Sequence, residues 1–357
     1  FTAADLGYGD IDGDALTSVQ ITSLETMGAL QLASVDVTMN QIVSKADIDA
    51  GNLTFTPVAN ASGVSYDSFG FSVNDGTTDS AVTYTLTVDV TPVNDLPTAA
   101  NNTVSTNEDT PNVFTAADFN FSDIDGDLLA SVKITSLESV GALQISGVDV
   151  SLNQVISRAD IDAGNLTFTP VANASGVSYD SFGFTMNDGT TDSAVPYIMT
   201  VDVTPVNDLP TAADNTISTS EDTAYIFTSA DFSFSDADGD TLTGIQITSL
   251  ESVGALQLSG IDVTLNQVIM RADINVGNLT YTPVANASGS GYDSFGFSVN
   301  DGTADSAVTY TLTVDVTPLN DAPTGADNTV ITGENTVYTF TAADLGYGDI
   351  DGDALTS

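Results

Sequence analysis

Three aspartates within five residues recur at a fixed interval along this chain. The motif Asp-x-Asp-Gly-Asp occupies Asp10/Asp12/Asp14, Asp123/Asp125/Asp127, Asp236/Asp238/Asp240 and Asp349/Asp351/Asp353, while the intervening residue varies (Ile11, Ile124, Ala237). Carboxylates this close repel one another unless a cation lies among them, and the glycine lets the backbone bend so that they converge. Hard oxygen donors at this density suit Ca2+, which takes about six to eight oxygens, better than Mg2+, which retains its waters. A metal-free acidic turn is the plainer alternative. An EF-hand needs Gly at its sixth and Glu at its twelfth position. Here Gly is fourth, and Ile21, Ile134 and Ile247 stand twelfth.

Three further acidic motifs recur once per interval. Asn94-Asp95, Asn207-Asp208 and Asn320-Asp321 lie between paired prolines (Pro92 and Pro97, Pro205 and Pro210, Pro318 and Pro323). Glu108-Asp109 and Glu221-Asp222 fall in a predicted opening strand; the fourth copy reads Glu334-Asn335, so the second position is expected to matter less. Asn-Asp-Gly appears at Asp75, Asp188 and Asp301. Each has a bland reading: a solvated linker, an exposed strand start, and the commonest short hairpin turn. Asp160 and Asp162 (Asp47 and Asp49; Asp273 and Asn275) read as a solvated turn, because one copy loses its second carboxylate. Tyr66, Tyr179 and Tyr292 read as core or corner tyrosines. Asn60-Ala-Ser62, Asn173-Ala-Ser175 and Asn286-Ala-Ser288 match the glycosylation sequon, a short pattern that arises by chance in a Ser/Thr-rich chain; modification is not expected.

The elements that would carry these groups are short strands. Residues 1–18 reappear at 340–357, which is 339 residues later, or three steps of 113. A chain that closes on its own beginning is expected to be a window cut from a longer array, and a unit this long can hold its own core. Dividing at the proline hinges gives 1–95 lacking its first strand, 96–208, 209–321, and 322–357 as the opening of a fourth unit. Within 96–208, apolar and polar residues alternate over Val132–Leu137, Ala142–Ser146, Val148–Leu152, Leu166–Pro170, Phe182–Met186 and Tyr197–Val203. Short alternating runs bounded by Gly, Asn, Asp or Pro predict an all-β chain of antiparallel Greek-key sandwiches of immunoglobulin or cadherin kind. Ser157 as cap and Gly164 as stop predict one helical turn. Substitutions between units keep apolar bulk at Met39/Leu152/Leu265 and at Phe55/Phe168/Tyr281, as core positions require.

Bulk composition narrows the function. There are 49 acidic against 4 basic residues and a formal charge of −45, which excludes nucleic acid as a partner and argues against an anionic membrane surface. With 41% hydrophobic residues in patterned positions, disorder is not expected. The chain has no Cys and no His, so disulfides, thiolate zinc sites, thiol nucleophiles and His-based triads are absent; an enzyme is not expected. No apolar run is long enough to span a membrane, and no leader is visible. There is no Trp and no aromatic stripe to serve a glycan-binding module.

The ordered set of hinge, Glu-Asp, Asp-x-Asp-Gly-Asp and Asn-Asp-Gly motifs resembles the bacterial cadherin-like tandem repeats of large surface adhesins, over the whole chain. That resemblance implies Ca2+ at junctions between successive domains, stiffening an extended rod. The positions it implies are Glu108, Asp123, Asp125, Asp127, Asp188, Asn207 and Asp208 with their counterparts one period away: Asp10, Asp12, Asp14, Asp75, Asn94, Asp95, Glu221, Asp236, Asp238, Asp240, Asp301, Asn320, Asp321, Glu334, Asp349, Asp351 and Asp353. The function implied is an extracellular, cell-surface extender or scaffold in attachment or biofilm, partnered by neighbouring repeats. The alternatives are a fibre subunit pairing with identical chains and, with less support, a glycan-binding module.

Overall fold

The computed structural model describes residues 1–356; Ser357, the last residue of the repeated segment, lies outside the described residues. The chain forms two compact units, residues 1–171 with 175–204, and residues 172–174 with 205–357. Each is all-β apart from single helical turns.

In the first unit, residues 102–204 build two sheets. The larger runs Val155–Ser157, Ser131–Ser136, Gly176–Asn187, Tyr197–Thr204 and Asn102–Asn107 in spatial order; the smaller runs Val148–Asp149, Ala142–Ile145, Leu166–Thr169 and Asn112–Val113. All pairs are antiparallel except Tyr197–Thr204 with Asn102–Asn107, which pair in parallel from Met199↔Asn102 to Thr204↔Asn107. That parallel pair sets the end of the opening strand beside the start of the hinge. Alternation places Val132, Ile134, Phe182, Phe184 and Val201 of one sheet against Leu143, Leu166 and Phe168 of the other, all fully buried. Phe114 and Phe119 close the core with edge-on contacts to Phe182 and Phe184 at 5.4 and 5.0 Å.

The same two sheets recur in the second unit over 215–317. Residues 18–90 of the first unit form a four-stranded and a three-stranded sheet, with no counterpart of the Asn102–Asn107 strand among the described residues. The difference shows at the closing strand. Leu86, Val88 and Val90 stay half-buried, whereas Met199, Val201 and Val203 are buried. Among the described residues of 322–356 there is no strand, only the Ala342–Leu345 turn and the Thr324↔Gly348 bridge.

The predicted helical turn is Arg158–Asp162, with the Ser157 hydroxyl accepting the Asp160 N–H at 3.1 Å. Tyr66, Tyr179 and Tyr292 are corner tyrosines: each hydroxyl accepts a backbone N–H from Val58, Val171 or Val284, at 3.1, 3.1 and 3.3 Å. Two expectations are corrected. Met39, Leu152 and Leu265 are 52–53% exposed, because each sits at the crest of a turn; Ser151 and Gln154 close the one around Leu152, and Val150 is the residue that turns inward. The Glu-Asp pair does not lie in the opening strand. The strands end at Asn107 and Ser220, and Asp109, Asp222 and Asn335 adopt left-handed backbone at φ 56, 60 and 65°. Asp and Asn both tolerate that conformation, which accounts for their exchange in the fourth copy.

Candidate metal centre

Each aspartate triad is built within a single turn that is tied to the hinge before it. A reciprocal pair of hydrogen bonds between Thr98 and Ser122, 2.8 Å each way, clips the hinge to the segment before Asp-x-Asp-Gly-Asp; Thr211 and Ser235 repeat it. Within the motif the first carboxylate folds the turn around itself. Asp123 Oδ1 accepts the Asp125 N–H at 2.8 Å and the Asp127 N–H at 3.3 Å; Asp236 Oδ1 accepts that of Asp240 at 3.0 Å, and Asp10 and Asp349 act likewise. The glycine is required by conformation, not by space. Gly126 has φ 84°, and nothing lies within 4 Å of a Cβ built there.

The second carboxylate reaches back to the hinge. Asp125 Oδ2 accepts the Asp95 N–H at 2.6 Å, Asp238 Oδ2 that of Asp208 at 2.7 Å, and Asp351 Oδ2 that of Asp321 at 2.6 Å. The outcome is two triads, Asp123/Asp125/Asp127 and Asp236/Asp238/Asp240, whose carboxylate oxygens lie within 4.8 Å of one another. Asp123 Oδ2 and Asp236 Oδ2 are buried there without a hydrogen-bond partner.

A third cluster joins groups far apart in sequence: Glu221, Asp321 and Asp351, again within 4.8 Å. Glu221 is 3% exposed. The parallel pairing fixes it, since its N–H donates to Thr317 O at 2.9 Å, and its Oε1 accepts the Leu319 N–H at 2.6 Å. Glu108 is 4% exposed, with its N–H on Thr204 O at 3.0 Å. Burial, followed by the charges of Asp351, Asp222, Glu221 and Asp349, pushes Asp321 above the usual carboxylate range. The cluster thus gathers like charges with nothing basic between them. Lys45 and Arg158 pair with Asp49 and Asp162 in their own helical turns.

The other predicted ligands make bonds of their own. Asp75, Asp188 and Asp301 cap their own turns: Asp188 Oδ1 accepts the Thr190 and Thr191 N–H groups at 2.6 and 2.7 Å, and Asp75 and Asp301 accept theirs in the same way. The remaining oxygen of Asp188 accepts Asn94 Nδ2 at 3.0 Å, and that of Asp301 accepts Asn207 Nδ2 at 3.1 Å. The hinge asparagine and the Asn-Asp-Gly turn therefore form a clasp. Burial alone would raise Asp188, but the donors from Asn94, Thr191 and Thr190 outweigh it and hold it at about 2. Asn320 Nδ2 donates to Asp321 O at 2.9 Å, and Glu334 is exposed.

Sequence reasoning missed Asp67, Asp180 and Asp293. Each is buried and holds the loop before the smaller sheet; Asp180 accepts the Ser139 and Val140 N–H groups at 3.0 and 2.6 Å. The available signal was a charge set beside the apolar run Phe182–Phe184.

A family model described as a bacterial Ig domain matches residues 94–204 and 207–317. The chain belongs to the bacterial Ig domain family. Both matched Ig domains open on a hinge asparagine, Asn94 or Asn207, and close on the last strand or its final residue. Among solved structures, the chain is similar to mouse protocadherin-24 EC1-3 (13% identity, 88% of this chain and 95% of that one, TM-score 0.43). It is also similar to Drosophila N-cadherin EC1-4 (13%, 91% and 75%, TM-score 0.26) and to an endo-fucoidan hydrolase from glycoside hydrolase family 107 (19%, 87% and 40%, TM-score 0.21). The chain spans 40% of the length of that hydrolase. No curated protein matches it.

Proposed function

We propose that this chain is a calcium-stiffened structural segment of an extracellular bacterial adhesin or filament, acting as an extender in surface attachment or biofilm, with 96–208 and 209–321 as its complete repeats. The observation that carries this is the cluster Glu221/Asp321/Asp351, in which one repeat, its hinge and the next Asp-x-Asp-Gly-Asp turn converge. A divalent ion there would bind all three segments at once. The donor set fits Ca2+: it is oxygen throughout, and the partnerless Asp123 Oδ2 and Asp236 Oδ2 are buried acceptors that a cation would satisfy. Bound Ca2+ would supply positive charge and coordination. The chain's own groups preform the site, because backbone donors already orient Asp123, Asp125, Glu221 and Asp351. Catalysis is no part of this reading; the carboxylates are held by structural donors.

Binding to the folded state alone stabilises it by about 2.7 kcal/mol per site at a hundred times the dissociation constant. Millimolar Ca2+ is therefore expected to raise the unfolding temperature, and chelator to broaden the distribution of dimensions seen by small-angle scattering. Identical melting and scattering with and without chelator would sink the proposal.

A further inference from the structure

Asn286, the asparagine of Asn-Ala-Ser, lies against the seam carboxylates. Its backbone is left-handed at φ 52°, and its N–H donates to Asp222 Oδ1 at 3.0 Å. The end of its side chain faces two acceptors, which assigns the amide nitrogen rather than the oxygen to that side; so oriented, it donates to Asp321 Oδ2 at 3.0 Å and to Asp222 Oδ2 at 3.1 Å. One neutral residue thus joins the turn after the opening strand to the hinge that leaves the same repeat. We propose that Asn286 is the positioning residue of the seam: its amide holds Asp321 beside Asp222 in a site otherwise made of like charges, and so sets the hinge before any cation arrives.

The physical reasoning is direct. Asp321 is crowded by acidic neighbours, and a fixed amide donor is what this loop offers to offset them. An asparagine is suited twice over, because it accepts left-handed backbone and carries two protons on one nitrogen. In the first unit Asn60, also left-handed at φ 58°, lines one cleft with Asp95 and Asp125 and a second with Asp95 and Asp123. The nitrogen a glycan would occupy is the one engaged with Asp321, so the sequon is a by-product of this role.

The role of Asn286 in metal binding rests on the proposed function, but its grip on the hinge does not, so the test starts without calcium. In the full chain with EGTA, hydrogen exchange is followed at peptides spanning 317–323 and 91–97. Asn286→Ala is expected to speed exchange about tenfold or more at 317–323 and leave 91–97 unchanged; Asn60→Ala is expected to do the reverse. Asn286→Asp keeps the shape but replaces donor by acceptor, and is expected to match Asn286→Ala. Wild-type exchange at 317–323 in Asn286→Asp, or no local response to either alanine, overturns the assignment. If millimolar Ca2+ fails to slow the wild-type hinge while the alanine effects persist, the calcium reading falls and the role of Asn286 stands.

Discussion

At the scale of the residue, partners decide what a carboxylate does. Asp123 and Asp188 look alike in sequence, each an aspartate in a glycine-containing turn. Asp188 has both oxygens engaged by donors, whereas Asp123 keeps a buried Oδ2 without one. This makes Asp188 a pH-dependent stabiliser. Its folded-state pKa lies below the ordinary 3.8, at about 2, so its contribution is complete above about pH 4 and is lost as pH falls toward 2. Asn94→Ala removes the partner that lowers it most. The variant is expected to be less stable than wild type by on the order of 1–2 kcal/mol at pH 6, with the gap closing by about pH 2. Urea melts at the two pH values check this; a gap that persists undiminished at pH 2 would assign the loss to packing. The Asp-x-Asp-Gly-Asp spacing made that cluster legible in sequence. The clasp was not legible, because Asn94 and Asp188 are 94 positions apart and meet only through the fold.

At the scale of the element, period-two alternation carried most of the reading. Val132, Ile134, Phe182 and Phe184 alternate and are buried as expected. Short strands defeated it: Asn112–Val113 and Val155–Ser157 hold too few residues to show a period, and the mostly polar Asn102–Asn107 is recruited by its parallel partner. Apolar type alone misled at Leu152, where turn geometry directs the side chain outward. The helical turns offer a controlled comparison. Ser44 and Ser157 cap theirs through the hydroxyl, but Met270 stands at the equivalent position of Arg271–Asn275 without a side-chain cap and is 52% exposed. Met270→Ser is expected to stabilise this turn by about 1 kcal/mol. Hydrogen exchange over residues 271–278 should slow roughly fivefold; unchanged or faster exchange would show that the methionine packs to better effect than the cap.

At the scale of the whole molecule, charge is the dominant constraint. A formal −45 with four basic side chains is a self-repelling polyanion, and two of those four, Lys45 and Arg158, are already paired within their helical turns. Two kinds of cation effect follow, and they separate experimentally. Diffuse screening depends on ionic strength alone and shortens the reach of repulsion to about 8 Å near 0.15 M salt. Site binding depends on which ion fills the oxygen cage. In chelator, raising NaCl from about 10 to 150 mM is expected to raise the unfolding temperature by screening. At fixed ionic strength, about 1 mM Ca2+ should raise it further, and the same concentration of Mg2+ should do less, because Mg2+ keeps its waters and a tight octahedron. Glu221→Gln removes one charge from the converged cluster. It should therefore weaken the Ca2+ increment while leaving the NaCl increment almost intact. Equal increments from the two divalent ions, together with an unchanged Ca2+ response in Glu221→Gln, would mean that the aspartate turns act only as a screened surface.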